Sequence, residues 1–250
     1  MLSNILLNYK HIKYYKVMKR ISKHVWLLPY DEATDRPNLG YIESAGQAFL
    51  FDVGCGPKSV ALLKDALAQA ELPWPTTALI SHYHWDHCFA SGCIDCRLVA
   101  SAYTAKKMQE MLAHSPVDLD DWIDEERFMP AFCKEHLHLE YHSGKEVNLR
   151  AIDEIIKDGD RFTVGDIQLR VIELISPHCE GQLGLFVEED GVLFVGDADS
   201  GRIVGFDFIE DKEKRCRYDQ QLAEIDFKTI VISHYDPLSK EMYYLTKKEI

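Results

Sequence analysis

Short β-branched and aromatic runs alternate with stretches of helical period along most of this chain. Val25–Leu28 and Ala48–Val53 read as strands, the second running into Gly54-Cys55-Gly56-Pro57, a turn sequence. Lys58–Leu72 carries Val60, Leu63, Leu67 and Ala70 at helical spacing, which predicts an amphipathic helix. Thr77–Ile80 predicts a buried strand. Helices are expected over Ser101–His114 and Asp118–Met129, the latter with Trp122 and Phe128 as apolar anchors. After Arg161 the pattern becomes β: Phe162–Val164, Ile167–Ile175, a hairpin of Leu183–Val187 and Val192–Val195 around Glu189-Asp190-Gly191, and Thr229–Ile232. No internal repeat, low-complexity tract or linker interrupts this order, so one domain over residues 1–250 is expected.

The residues just past the strand ends carry the chemistry. Ile80 leads into Ser81-His82-Tyr83-His84-Trp85-Asp86-His87, Ile175 to His178, Gly196 to Asp197, and Ile232 to His234. Loops at the C-terminal ends of strands are where α/β proteins usually place their sites. Imidazole nitrogen and carboxylate oxygen are the ligands that zinc, manganese or iron accept most readily. Lone pairs crowded this closely are costly to bury unless a cation satisfies them. His82, His84, Asp86, His87, His178, Asp197 and His234 therefore read as a site for two divalent metal ions, zinc first among them, with iron or manganese as alternatives.

Composition narrows the rest. A chain of 250 residues can bury a substantial core, and 46% hydrophobic with 28% charged residues is ordinary for a soluble protein. The formal charge of −13 argues against a nucleic-acid partner and leaves a small-molecule substrate as the expectation. No stretch approaches the ~20 apolar residues of a membrane span. Residues 1–20 are studded with Lys10, Lys13, Lys16, Lys19 and Arg20, lack a secretory apolar core, and read as a peripheral helix or an extension. Seven dispersed cysteines read as reduced thiols in a cytoplasmic protein. Nothing specifies an oligomeric state.

Two further patterns carry less. His138 and His142 stand four apart with His136 nearby, but Lys134, Glu135 and Glu140 around them favour a solvated helix face. Cys88, Cys93 and Cys96 repeat an iron–sulfur spacing without a fourth cysteine, so packed thiols are expected.

The order His82-x-His84-x-Asp86-His87, His178, Asp197, His234 resembles the metallo-β-lactamase-fold superfamily of metallohydrolases. Phe51-Asp52-Val53-Gly54, Pro177-His178-Cys179-Glu180-Gly181 and Leu193-Phe194-Val195-Gly196-Asp197 are similar to further segments of that family, from roughly Val25 onward. The resemblance implies an αββα sandwich: two mixed β-sheets flanked by helices, with metals at one edge. It implies that His82, His84 and His178 hold one ion, that Asp86, His87 and His234 hold the other, and that Asp197 bridges them. Asp86 would orient a metal-bridging hydroxide, the nucleophile, and Asp52 would anchor a ligand histidine from behind. The activity implied is hydrolysis of an ester, thioester, lactone, amide or phosphoester. The alternative on the same fold is a mononuclear non-haem iron oxidoreductase resembling persulfide dioxygenases, using ligands like His82, His178 and Asp197. Selectivity is expected from residues 30–41, 115–143 and 201–211, with Tyr30, Trp85, Trp122 and Phe206 as candidate pocket walls.

Overall fold

The computed structural model describes residues 17–113, 133–141, 147–204 and 207–247. Two sheets dominate it. The first orders its strands β1 (Lys19–Arg20), β2 (Val25–Leu28), β3 (Leu39–Ser44), β4 (Gln47–Phe51), β5 (Thr77–Leu79), β6 (Arg97–Ala100) and β7 (Glu154–Ile155) side by side. It is antiparallel from β1 to β4 and parallel from β4 to β7. The second contains β8 (Arg161–Val164), β9 (Ile167–Glu173), β10 (Leu183–Val187), β11 (Val192–Gly196), β14 (Thr229–Ile232) and β15 (Leu238–Ser239). Within it only the β11–β14 pair is parallel. A separate two-stranded sheet pairs β12 (Arg202–Val204) antiparallel with β13 (Asp207–Ile209).

The period-2 rule explains the layering. On β4, Phe49 and Phe51 point between the sheets, while Ala48 and Leu50 point to the other face. On β11, Val192 and Phe194 face inward, and Leu193 and Val195 face out. The central core packs Val25, Leu27, Ile42 and Leu79 against Leu169, Val171, Leu185 and Val231. Phe51 stacks on Phe194 across the sheets at 5.1 Å between ring centroids, adding about 0.5–1.5 kcal/mol beyond burial.

Helices cover both outer faces. Outside the first sheet lies α1 (Pro57–Gln69), which buries Val60, Leu63 and Leu67. Near it run α2 (Trp85–Cys88), α3 (Ala102–Leu112) and α4 (Lys134–Glu140). Outside the second sheet lie α5 (Lys212–Glu224), which buries Tyr218 and Leu222, and α6 (Lys240–Thr246), which buries Tyr243. The result is the expected αββα sandwich of two mixed sheets. No helix among the described residues is long and apolar enough to cross a membrane.

Several expectations shift. Strand β4 stops at Phe51, not Val53, because Asp52 turns left-handed (φ 63°). Met18 is buried and Lys19–Arg20 pairs with β2, so residues 18–20 belong to the sandwich and not to a peripheral helix. Residues 118–129, with Trp122, and residues 1–16, His142 and Phe206 lie outside the described residues.

Candidate metal centre

Chain segments feed the site from strand ends, and the backbone is shaped to allow it. Asp52 follows β4 in a left-handed conformation that costs a non-glycine residue about 1–2 kcal/mol. That turn aims its carboxylate at the loop after β5, where Oδ1 accepts the Ser81 N–H at 2.7 Å and Oδ2 accepts the Ser81 hydroxyl at 3.0 Å. At the end of β11 the ladder with β14 slips in register between Phe194 and Gly196. Gly196 sits at φ 59°, where a Cβ would lie 2.7 Å from Gln182 Nε2 and 2.8 Å from Ser81 Oγ. Only glycine fits there, and Asp197 is thereby delivered beside the histidines.

All seven predicted ligands converge, in two groups. One ligand atom from each of His82, His84 and His178 lies within 4.8 Å of the others, and the same holds for Asp86, His87, Asp197 and His234. In the first group His178 Nε2 and His84 Nδ1 face each other at 2.9 Å. In the second, Asp86 Oδ2 lies 2.9 Å from His87 Nε2 and 3.1 Å from His234 Nε2. The groups adjoin: the His82 and His87 rings are 4.1 Å apart, and Asp197 Oδ2 is 3.7 Å from His178 Nε2 and 3.6 Å from His234 Nε2.

The partners behind the rings decide which nitrogen points inward. His87 Nδ1 donates to Asp52 Oδ2 at 2.8 Å, and His178 Nδ1 donates to the Gly201 carbonyl at 2.8 Å. The Ser81 hydroxyl gives its proton to Asp52, so at 3.0 Å it accepts from His82 Nδ1. These bonds leave the opposite nitrogens as lone pairs directed into the site. His82 Nε2, His87 Nε2 and Asp197 Oδ1 are buried there with no aligned hydrogen-bond partner. Such atoms cost roughly 1–3 kcal/mol each when left unsatisfied. A cation at each group would satisfy all three, so the donors fit divalent metal ions.

Electrostatics says the same of the second group. Burial alone would lower the His87 pKa, but Asp86, Asp197 and Asp52 push it well above its ordinary value. Asp197 and the hydrogen bonds to Asp197 and Asp86 likewise raise His234 against its burial. Burial would raise Asp86 and Asp197, yet His87 and His234 hold both below the ordinary carboxylate range. The first group is different: burial and then neighbouring imidazoles drive His82 well down and His84 to about 3. Neutral imidazole is the ligand form of histidine.

Asp52 takes the supporting place expected of it. Ser81, the Gly201 carbonyl and Asp35 also support the site and carry no motif of their own. Asp35 lies 3.9 Å from His234 Nδ1, and burial followed by Asp86 pushes its carboxyl up to about 7. Trp85 is a core residue, packed on Phe89, and not a pocket wall. The expected solvated face around His136 is a correction: Glu140 is 1% exposed and paired with Arg36, and His136 turns toward Asp35. Among the described residues, Cys88, Cys93 and Cys96 form no ligand cluster, and Cys88 is a packed thiol donating to the Tyr83 carbonyl.

The sequence model of the metallo-beta-lactamase superfamily matches residues 34–234, and the chain belongs to that family. Solved structures share the fold at low identity. A metallo-beta-lactamase family protein from Thermus thermophilus is 20% identical, with TM-score 0.63 over 90% of this chain and 80% of that one. A metallo-beta-lactamase from Pontibacter korlensis is 17% identical, with TM-score 0.58 over 92% and 96%. The sec-alkyl sulfatase PisA1, as a double mutant, is 14% identical, with TM-score 0.66 over 93% of this chain and 41% of that one. No curated protein matches the sequence.

Proposed function

We propose that this protein is a metal-dependent hydrolase of a small molecule, opening an ester, thioester, lactone, amide or phosphoester bond at a site for two divalent ions. Zinc is the first choice of metal, and the cytoplasm is the proposed location. One observation carries the reading: two adjoining donor groups whose buried lone pairs, on His82, His87 and Asp197, have no protein hydrogen to accept. His82, His84 and His178 would hold one ion, and Asp86, His87 and His234 the other, with Asp197 in reach of both. Ions held this way would supply Lewis acidity and would lower the pKa of a bound water from 15.7 to about 7.

The chain's own groups do the remaining work. Asp86, its carboxylate between His87 and His234, accepts a hydrogen bond from the attacking water and orients it. Asp52, Ser81 and the Gly201 carbonyl keep three rings in the tautomer that presents a lone pair.

Elemental analysis of purified protein, paired with an ester, thioester, lactone, amide and phosphodiester screen, tests the proposal. The expected result is two divalent ions per chain and turnover of one substrate class that disappears in Asp197→Ala. One iron per chain with oxygen uptake would point to the oxidoreductase alternative, and ion-loaded protein inert toward every substrate class would overturn hydrolysis.

A further inference from the structure

Three of the ligand-type histidines have a backing group at hydrogen-bond distance: His82 on Ser81, His87 on Asp52 and His178 on Gly201, at 2.8–3.0 Å. His234 differs. Its Nε2 faces Asp86 and Asp197, and its Nδ1 faces the carboxylate of Asp35, 3.9 Å away at Oδ1. That is an ion-pair distance, too long for a hydrogen bond. The ring is also 27% exposed, unlike the enclosed His87. The group that faces His234 from behind is the Asp35 carboxyl, at ion-pair range.

Asp35 is held where it is by more than its own loop. It closes the 3₁₀ turn Glu32–Thr34 in a left-handed conformation (φ 55°, ψ 24°). Such a backbone persists in a non-glycine residue only when its surroundings over-determine it. Backbone hydrogen bonds between Asp31 and Arg36 close the loop around it, and the side-chain contacts come from α4. His136 places Nδ1 3.9 Å from Asp35 Oδ2, and this buried nitrogen has no hydrogen-bond partner. Four residues on, along the same helix face, Glu140 Oε2 accepts from Arg36 Nε and Nη2 at 3.0 and 2.6 Å. Its Oε1 accepts the Ser59 N–H at the start of α1 at 2.6 Å. One short helix thus meets two consecutive residues, Asp35 through the His136 ring 3.9 Å away and Arg36 by a forked pair of hydrogen bonds.

We propose that Asp35, seated by His136 and the Arg36–Glu140 pair, is the positioning residue that keeps His234 turned into the second donor group, so that α4 sets the affinity of the second ion. This rests on the two-ion reading above. It adds to that reading a control point outside the ligand set, on a segment whose charged residues read in sequence as a solvated helix face.

The test is a Co²⁺ titration at pH 8, where the Asp35 carboxyl is ionised, of metal-stripped full-length chain, followed by visible absorption and calorimetry, on wild type, Asp35→Asn and His136→Gln. Asparagine tolerates the left-handed backbone, so D35N removes the charge and keeps the turn. The second equivalent should weaken by about 10–100-fold in D35N, the usual cost of losing a group behind a ligand, and less in H136Q. The first equivalent, and the far-ultraviolet circular dichroism, should match wild type. D35N binding both equivalents as wild type does would overturn the inference while leaving two ions in place. So would equal loss of both equivalents, which marks a general structural role. Wild type accepting one ion only would overturn the two-ion reading and this inference with it.

Discussion

His24 and His87 each set Nδ1 2.8 Å from an aspartate oxygen, yet they sit at opposite ends of β11 and do different work. At the hairpin end, Asp190 accepts from the His24 ring, from the His24 N–H at 2.7 Å and from the Ser22 hydroxyl. Neither residue leaves a fully buried polar side-chain atom unpaired there. At the Asp197 end, the Asp52–His87 pair is equally tight, but it leaves Nε2 bare among other lone pairs. A histidine–aspartate pair alone therefore says little about function. The unspent second nitrogen, multiplied over a cluster, is what marks a binding site.

That contrast breaks most sharply when a ligand is removed. His178→Ala or Asp197→Ala should eliminate metal-dependent turnover and reduce the ion content per chain, while Asp190→Asn leaves both as in wild type. Elemental analysis and the substrate screen check all three. Ions lost from the Asp190 variant would show that the two ends are not functionally separate.

Metal addition should come next in size. A ligand at about 1,000 times its Kd stabilises the folded state by about 4 kcal/mol. For a chain of this length that raises Tm by roughly 8–16 °C, at roughly 2–4 °C per kcal/mol. The gain should grow with pH, and its sign is set by the site. In metal-free protein, His87 and His234 hold raised pKa values, so their stabilising contribution is full below about 6.5 and lost as pH rises through those values. Asp86 and Asp197, held low, contribute above 3.8 and lose that contribution as pH falls through their lowered values. Metal-free protein should therefore weaken in alkaline solution, where ions no longer compete with those protons. Thermal melts with and without Zn²⁺ from pH 5.5 to 8.5 measure this; an increment that shrinks with rising pH contradicts it.

Behind the ligands the effects should be smaller. Asp52→Asn keeps the shape of the carboxylate but weakens the acceptor for His87 Nδ1 and Ser81. Ion affinity should fall about 10–100-fold, measured by competition with a chelating dye. An unchanged affinity would mean that Asp52 acts only through the left-handed turn.

The cluster of candidate donors was legible because short-range sequence and strand ends coincide: each of Ile80, Val195 and Ile232 closes a buried run, and a donor comes within two residues. The two-sheet core was legible for the same reason, since inward and outward residues alternate on β4 and β11. Helix α5 was not, because Lys212–Glu224 is polar almost throughout and buries only Tyr218 and Leu222. Asp35 and Gly201 could not be read either, and His136 was read only as part of a solvated helix face. Each acts through a tertiary contact, or through a backbone carbonyl that every residue possesses, so residue type carries no signal.

The smallest expected effect belongs to the hairpin end. Asp190→Asn retains an acceptor for Ser22 and His24 but removes the charge that strengthens those bonds, a loss of about 1 kcal/mol at neutral pH. Burial would raise the Asp190 pKa, yet hydrogen bonds from Ser22 and His24 hold it below the ordinary 3.8. The charge thus stabilises the fold above about 3.8, and that advantage is lost as pH falls through the lowered value. Urea unfolding of metal-free wild type and D190N at pH 7 and pH 3 should show the curves separated at pH 7 and converging at pH 3. A separation that persists in acid would mean that packing of the carboxylate, rather than its charge, ties the Ser22–His24 segment to the hairpin, and would leave this histidine–aspartate pair with no electrostatic role to compare with the one at the metal end.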